Sequence, residues 1–243
     1  EITGEGSVIH ATNQEILIAA PQWEKQSSTL ITYVDISDPA GAMVEGTSVE
    51  IQGEVADRYK MDVWQDVLRV VTSSWDQGER AVHVTTVDLS SPTESLPILG
   101  STEIEGAAGE TLFATRFDGP KGYVVTFLIK DPLFVLDLSD PTDPKVLGEL
   151  IVPGWSTHIE PRGDRLIAVG VDGTQGRQVS VSLFDVSDPE GPSLVERISL
   201  GDDWSWSTAY QDPKAFTVLD DVLIVPFSGW SESKGSYDRM QFV

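Results

Sequence analysis

The six residues Val34-Asp35-Ile36-Ser37-Asp38-Pro39 recur, with small changes, three more times along this 243-residue chain. The other copies are Val87-Asp88-Leu89-Ser90-Ser91-Pro92, Leu136-Asp137-Leu138-Ser139-Asp140-Pro141 and Phe184-Asp185-Val186-Ser187-Asp188-Pro189. The first aspartates of the four copies are 53, 49 and 48 residues apart. Because a period of roughly 40 to 50 residues is typical of propeller blades, the spacing indicates a blade repeat.

Short runs of β-branched and aromatic residues lie between the copies, for example at 67–72, 123–127 and 166–169. Such runs are typical of β-strands when Gly, Asp and Pro bound them. No window shows the apolar spacing of three and four residues that marks an amphipathic helix. Each period then holds about four strands, so the sequence predicts an all-β fold, a β-propeller of four-stranded antiparallel blades.

The repeated six-residue phrase is expected to end a strand and begin a turn. Pro fixes φ at the second position of a turn, and the Asp carboxylate can accept a nearby backbone N–H. We therefore expect Asp35, Asp88, Asp137 and Asp185 to lie at equivalent positions on the third strand of successive blades. Large apolar strand residues should be buried within or between blades; these are Val124, Phe127, Phe134, Leu136, Leu166, Val169 and Phe184.

The repeat predicts one propeller domain over residues 1–243. Blades are expected at about 7–51, 59–104, 111–150 and 155–200, with an incomplete fifth blade at 215–243. The final residues, 239–243, read as the opening of a strand. We therefore expect about four complete blades and part of a fifth, within a larger ring.

The charge excludes some classes of partner. Lys and Arg number 16 against 39 Asp and Glu, so the formal net charge is −23. A surface this acidic repels nucleic-acid phosphates and anionic lipid headgroups. No apolar run approaches the roughly 20 residues that span a bilayer, which argues against direct membrane insertion. The chain has no cysteine, which excludes disulfides and thiolate metal sites.

Long phrases between Gly109 and Phe216 carry a family resemblance. They lie at 109–110, 116–117, 123–127, 131–141, 147–150, 153–156, 182–189 and 214–216. Through them the chain resembles a family of uncharacterised secreted bacterial and archaeal proteins with a C-terminal β-propeller domain. The resemblance implies the propeller fold and a location outside the cytoplasm, in the periplasm, at the cell surface or in the medium. It implies no established activity.

Two departures from the family pattern concern histidine. Family members often have His where this chain has Glu160 and Pro213. A shared histidine-based metal or catalytic site is therefore not expected. His158 and Glu160 still alternate along one strand and so face the same side, where they could supply two metal ligands. A structural role is the alternative for both residues.

The aspartate-rich turns and the tryptophans are further candidates. Asp137, Asp140 and Asp143 offer the oxygen donors that calcium favours, although turn capping explains them as well. Trp204 and Trp206 share a strand face and could stack on sugars or pack in a core. The other tryptophans, Trp23, Trp64, Trp75, Trp155 and Trp230, are expected on other blades.

Charged residues could also lie near a central channel. Arg116 and Asp131 are the candidates there, with an ion pair that fixes a loop as the alternative role. The ligand-binding candidates are then Arg116, Asp131, Trp155, His158, Glu160, Trp204 and Trp206. No organic cofactor is expected.

Three functional hypotheses follow from the sequence. The first is a non-catalytic binding or scaffolding module, whose protein or glycan partner meets a blade face or the channel mouth. The second is an extracellular enzyme that degrades glycans or other polymers with channel carboxylates. The third is a metal-stabilised component of an envelope assembly. No nucleophile elbow, phosphate-binding glycine loop, metalloprotease helix or dinucleotide fingerprint is present in the sequence, which favours the first hypothesis.

Overall fold

The computed structural model describes residues 8–22, 27–76, 78–128, 132–152, 154–173, 177–220 and 222–243. The described residues form five sheets, each with four strands. Their helices are single 3₁₀ turns at Arg58–Lys60, Glu105–Ala107, Thr208–Tyr210 and Pro213–Ala215. The predicted all-β class is confirmed. No helix in this part of the chain is long and apolar enough to span a membrane.

The first two sheets are simple antiparallel meanders. The first contains β1 (Val8–Ala11), β2 (Glu15–Gln22), β3 (Ser28–Asp35) and β4 (Val44–Gln52), in that spatial order. The second contains β5 (Met61–Trp64), β6 (Val67–Asp76), β7 (Glu79–Asp88) and β8 (Ile98–Glu103), again in chain order.

The third and fourth sheets follow the same plan. The third contains β9 (Thr111–Asp118), β10 (Lys121–Phe127), β11 (Pro132–Asp137) and β12 (Lys145–Ile151). The fourth contains β13 (Trp155–Arg162), β14 (Arg165–Asp172), β15 (Gln178–Asp185) and β16 (Ser193–Leu200). Chain neighbours are also sheet neighbours in both, which is the order expected of a blade.

The fifth sheet departs from this plan. Its strands are β17 (Trp204–Trp206), β18 (Thr217–Val218), β19 (Leu223–Ser231) and β20 (Gly235–Phe242). Because β20 pairs along the length of β19, the short strands β17 and β18 share the other edge of β19. The first position of this blade is therefore a strand interrupted by the two 3₁₀ turns at 208–210 and 213–215, and β20 takes the third position.

The repeated aspartates lie where the sequence predicts. Asp35, Asp88, Asp137 and Asp185 are the last residues of β3, β7, β11 and β15, each the third strand of its sheet. The carboxylate of each accepts the N–H of the serine two residues later, at 2.8, 2.8, 2.9 and 2.9 Å respectively. This local hydrogen bond turns the chain out of the strand in all four blades.

The chain divides into two compact units. One contains Glu1–Leu112, Phe117–Gly122 and Leu136–Val146, and the other contains Phe113–Arg116, Tyr123–Val135 and Leu147–Val243. The core of the first unit is built from the first two sheets, around Leu17, Ile31, Leu68 and Val70. The second unit has one cluster around Tyr123, Leu166 and Phe184 and another around Val169, Phe216 and Val225.

The predicted core residues are nearly all buried. Six of the seven are buried: Val124, Phe134, Leu136, Leu166, Val169 and Phe184. The prediction was wrong for Phe127, which is half-buried at the end of β10 and packs edge-on against Phe113, with ring centroids 5.9 Å apart. A strand end reaches past the neighbouring elements, so an aromatic ring there keeps one side exposed.

Glycines on the fourth strands allow the proline turns of following sheets to approach closely. A Cβ atom at each of these glycines would lie within 2.4 to 2.8 Å of a proline carbonyl oxygen. The pairs are Gly46 with Pro92 at 2.6 Å, Gly100 with Pro141 at 2.8 Å and Gly148 with Pro189 at 2.4 Å. Real Cβ atoms do not approach backbone oxygen this closely, so these three contacts require glycine.

Candidate functional site

The aspartate-rich turn after β11 is held together by its own hydrogen bonds. The Asp140 carboxylate accepts the N–H of Thr142 at 2.9 Å and the Thr142 hydroxyl at 2.7 Å. The Asp143 carboxylate pairs with the Lys145 ammonium at 2.5 Å. One oxygen of each of these carboxylates is therefore engaged with an N–H, hydroxyl or ammonium donor, as in turn capping.

These hydrogen bonds also perturb the aspartates. The hydroxyl and N–H of Ser139 hold the pKa of Asp137 below its ordinary value of 3.8. Thr142 lowers the pKa of Asp140 in the same way. Each carboxylate is favoured in its charged form because it accepts two donors. No group of three or more His, Asp or Glu side chains with a metal-binding arrangement occurs among the described residues.

His158 lies in a small cluster inside the second unit. It is buried on β13, where only 7% of its surface is exposed. A guanidinium nitrogen of Arg116, on β9, lies 2.9 Å from Nε2 of the His158 ring and 3.3 Å from Nδ1. The ring of Phe216 packs edge-on against the imidazole, with centroids 4.7 Å apart. Two of the sequence candidates, Arg116 and His158, therefore meet in three dimensions.

The arrangement around His158 suits a structural contact better than a metal centre. The Arg116 guanidinium, which is always charged, occupies the place of a cation beside the ring nitrogens. Glu160, two residues further along β13, lies 3.7 Å from a nitrogen of Arg162. A nitrogen of Arg162 in turn donates to the carbonyl of Val218 at 3.2 Å. His158 and Glu160, the two predicted metal ligands, therefore each lie beside an arginine side chain.

Two other candidates are only partly covered by the structure. Asp131 lies outside the described residues. Trp155 begins β13, and its backbone pairs with Val171 of β14, but its side chain is not among those described. The roles predicted for both residues remain predictions.

Three of the tryptophans named in the sequence analysis lie on the fifth sheet and are exposed. Trp204 and Trp206 alternate on β17 with the buried Ser205, and are 45% and 36% exposed. Trp230, which is 46% exposed, lies directly opposite Trp204 across the β17–β19 pair. Cross-strand partners point to the same face of a sheet, so all three indoles share one face. The expectation that Trp230 lies on another blade was wrong.

The same face continues onto β20 with residues that the sequence reading did not select. The register pairs Pro226 with Met240 and Ile224 with Phe242, and alternate residues of β19 share the face of Trp230. Met240 is 61% exposed and Phe242 is 62% exposed. We call Trp204, Trp206, Trp230, Met240 and Phe242 together the Trp face. The alternation of residue types over 236–242 was the signal available in the sequence. Only the register with β19 assigns Met240 and Phe242 to this face.

Carboxylates lie at one end of the Trp face. Asp202 accepts from the Lys234 ammonium at 2.8 Å and from the Tyr237 hydroxyl at 2.9 Å, and these donors lower its pKa. The Asp203 carboxylate accepts the N–H of Glu232 at 3.1 Å. The end of the sheet beside Trp204 and Trp230 is therefore predominantly acidic.

A buried arginine in the first unit has a structural explanation. The Arg69 side chain is 2% exposed, pairs with the Asp62 carboxylate and donates to the Gly119 carbonyl. Its guanidinium also lies over the rings of Trp64 and Phe117, at 5.4 and 4.9 Å from their centroids. Ion pair, hydrogen bonds and ring faces together compensate the burial of the charge.

Comparison with known proteins places the chain in a class. A model of the family described as beta propeller domain matches residues 1–242, so the chain belongs to that family. Its fold is a β-propeller, as the repeat predicts. The β-propeller domain of the trilobed protease from Pyrococcus furiosus, which has an open velcro topology, is similar with a TM-score of 0.55. That match covers 98% of this chain and 68% of the other at 7% identity, so it shows the fold alone.

Two archaeal relatives are similar in sequence. An uncharacterised protein of Methanocaldococcus jannaschii is 34% identical over 200 residues, which cover 80% of this chain and 29% of that protein. An uncharacterised protein of Archaeoglobus fulgidus is 38% identical over 156 residues, which cover 64% of this chain and 23% of that protein. The chain therefore spans less than a third of the length of either relative.

Proposed function

We propose that this propeller is a non-catalytic binding module outside the cytoplasm, and that it binds another protein through the Trp face. The observation that carries the proposal is the exposure of five large apolar side chains on one face of the fifth sheet. Soluble proteins rarely expose contiguous apolar patches of more than a few hundred Å², and larger ones mark interaction sites.

The contrast with the middle of the chain supports this use of the face. Seven consecutive residues of β7, Ala81 to Val87, are buried, and so are the five residues from Pro132 to Leu136 of β11. Strands that are buried at consecutive positions are covered on both faces. In β19 the buried residues alternate with partly exposed ones. One face of the fifth sheet therefore packs on the core of its unit, and the other is exposed in the described part of the chain.

The chemistry of the face favours a protein over a glycan. Sugar sites combine stacking rings with hydrogen-bonding side chains that reach the hydroxyl groups. Next to the indoles this face carries Ser236, Ser228 and Asp238, and the Ser228 hydroxyl already donates to the Asp238 carboxylate at 2.7 Å. Beyond them lie the apolar Ile224, Pro226, Met240 and Phe242, whose side chains have no strong donor or acceptor. A partner with a flat apolar surface would fit this part of the face. Basic residues at the edge of the partner's surface would complement the acidic end beside Asp202 and Asp203.

The remaining sequence candidates support a non-catalytic role. His158 is buried against Arg116 and Phe216, and Glu160 lies beside Arg162. The aspartates of the repeated phrase accept N–H groups of their own turns. All of these contacts are of the kind that hold the fold. The acidic charge and the resemblance to secreted proteins support the location, which fractionation of the source cells into cytoplasm, envelope and medium tests.

A binding experiment tests the role of the face. The purified protein is first measured by light scattering for self-association and is then used to capture envelope proteins from the source organism. Each captured protein is purified and titrated against the wild type, a Trp230→Ser and Met240→Ser double variant, and a Trp75→Ser control. Trp75 is 60% exposed on the second sheet. Loss of a buried Trp anchor weakens binding by at least 2 kcal/mol, about 30-fold in Kd.

The outcomes separate the hypotheses. A partner whose affinity falls about 30-fold in the double variant and is retained in Trp75→Ser supports the proposal. Equal binding by all three proteins contradicts it. An oligosaccharide that, titrated in the same way, binds the wild type and Trp75→Ser but not the double variant would reassign the face to a glycan. Dimerisation that is lost in the double variant would reassign it to a second copy of the chain.

A further inference from the structure

Asp238 is a charged residue within the Trp face. Trp206, Ser228 and Asp238 lie in one row across β17, β19 and β20, and cross-strand partners share a face. Asp238 is exposed. Its Oδ1 accepts the Ser228 hydroxyl at 2.7 Å, while its Oδ2 has no hydrogen bond within the described part of the chain. A partner that covers the apolar side chains of this face would therefore also cover a carboxylate.

The neighbouring cations of the fifth sheet are engaged elsewhere. Arg239 follows Asp238 in the chain and so points to the opposite face, where its guanidinium lies 4.6 Å from the centroid of the Tyr237 ring. The Lys234 ammonium pairs with Asp202. No ion pair to Asp238 occurs among the residues that the structure describes. Covering a carboxylate without a countercharge is strongly unfavourable, so the partner must supply a cation at this place.

The first unit shows which cation suits a carboxylate beside an indole. Asp62 and Trp64 are alternate residues of β5, so they share a face at a spacing of roughly 7 Å. The Arg69 guanidinium pairs with Asp62 and lies 5.4 Å from the centroid of the Trp64 ring. Asp238 and Trp230 are diagonal neighbours on β20 and β19, at a similar spacing of roughly 7 to 8 Å. One guanidinium can therefore contact both groups of this second pair, as Arg69 does in the first.

We propose that the protein bound by the Trp face presents an arginine side chain, which stacks on the Trp230 indole and pairs with the Asp238 carboxylate. The inference rests on the proposed function and adds the group that the partner supplies. A planar guanidinium stacks on a ring while its N–H groups donate to a carboxylate, whereas an ammonium is compact and strongly hydrated. The net charge of −23 attracts a basic partner. Asp238 is then the residue of the face that determines specificity.

Short peptides are the probes that test this specificity. A library of random peptides displayed on phage is selected on the wild-type protein, and the selected peptides are synthesised. Each is titrated against the wild type, Asp238→Asn, and the Trp230→Ser and Met240→Ser double variant. Asparagine keeps an oxygen that can accept from Ser228 and removes the charge. Glu103→Gln removes the same charge from an exposed residue of β8 and is the matched control.

We expect the peptides that lose affinity in the double variant to carry an arginine. Replacing this arginine by glutamine should weaken binding to the wild type and to Glu103→Gln about tenfold more than binding to Asp238→Asn, because close charge pairs across an interface are coupled to at least this extent. Equal losses in all three proteins would overturn the inference, and so would peptides that depend on the double-variant residues but carry no arginine. Either result leaves the Trp face as a binding surface. If no selected peptide loses affinity in the double variant, the proposed function is contradicted and the inference falls with it.

Discussion

Gly148→Ala should destabilise the protein, because the added methyl group has no space. A Cβ atom at position 148 would lie 2.4 Å from the Pro189 carbonyl oxygen, 2.9 Å from the Glu190 carbonyl oxygen and 2.9 Å from Cδ of Pro192. Two of these neighbours are backbone atoms, so the turn must move by several tenths of an ångström. Overpacking of this kind costs roughly 1 to 3 kcal/mol.

The unfolded state offsets part of this cost. Replacing Gly by Ala reduces the conformational freedom of the unfolded chain, which stabilises a protein by about 0.4 to 1 kcal/mol where the alanine fits. The expected net loss is therefore about 1 to 2 kcal/mol, or a fall of about 3 to 6 °C in thermal midpoint for a chain of this size. Urea titration followed by tryptophan fluorescence measures the free energy directly.

Gly173→Ala is the matched control for this prediction. A Cβ atom there would have no heavy atom within 4 Å, and the residue is not in the left-handed region. We expect Gly173→Ala to be neutral or slightly stabilising. If Gly148→Ala is as stable as Gly173→Ala, the turn is not held against the strand and the glycine argument is refuted.

Four further outcomes are expected. Phe184→Ala should lower the free energy of unfolding by roughly 3 to 5 kcal/mol, since the ring is 1% exposed; a loss below about 1 kcal/mol in urea titration would contradict its place in the core. Asp62→Ala should cost about 3 kcal/mol by the same titration, because it removes the carboxylate partner of the buried Arg69 guanidinium; an unchanged midpoint would show that the ion pair is dispensable. The pKa of Asp137 is lowered on folding from 3.8, so its contribution to stability is present above that pH and is lost as pH falls through the folded pKa; Asp137→Asn should therefore flatten the loss of stability in acid titration, and an unchanged slope would count against the Ser139 hydrogen bonds. Finally, EDTA should leave the thermal midpoint unchanged, whereas a fall that calcium restores would assign a metal to the aspartate turns.

Much of the fold was predictable from the chain because its signals are local. A carboxylate that accepts an N–H two residues away depends on neighbouring residues alone, so four copies of one phrase located the ends of four third strands. Alternation of apolar residues predicted most of the buried positions for the same reason. Phe127 was missed because its exposure depends on how far the strand extends beyond its neighbours.

The candidate sites depended on contacts between distant residues. Arg116 and His158 were selected separately, and no spacing along the chain indicated that they would be in contact. Trp230 was assigned to a different blade because its pairing with Trp204 depends on an opening strand that two 3₁₀ turns interrupt. Met240 and Phe242 were overlooked because the sequence does not show which face of a strand is covered by other elements.

The sequence alone determined the blade repeat, the turn chemistry at its aspartates and the acidic surface, since each follows from residue type and short-range spacing. Only the tertiary structure decided which faces are covered and where the strand registers shift. The physical reason is that side-chain direction reverses with every residue of a strand, so a single register shift changes which residues meet across sheets. The Trp face is a consequence of the registers of β17 and β20 with β19.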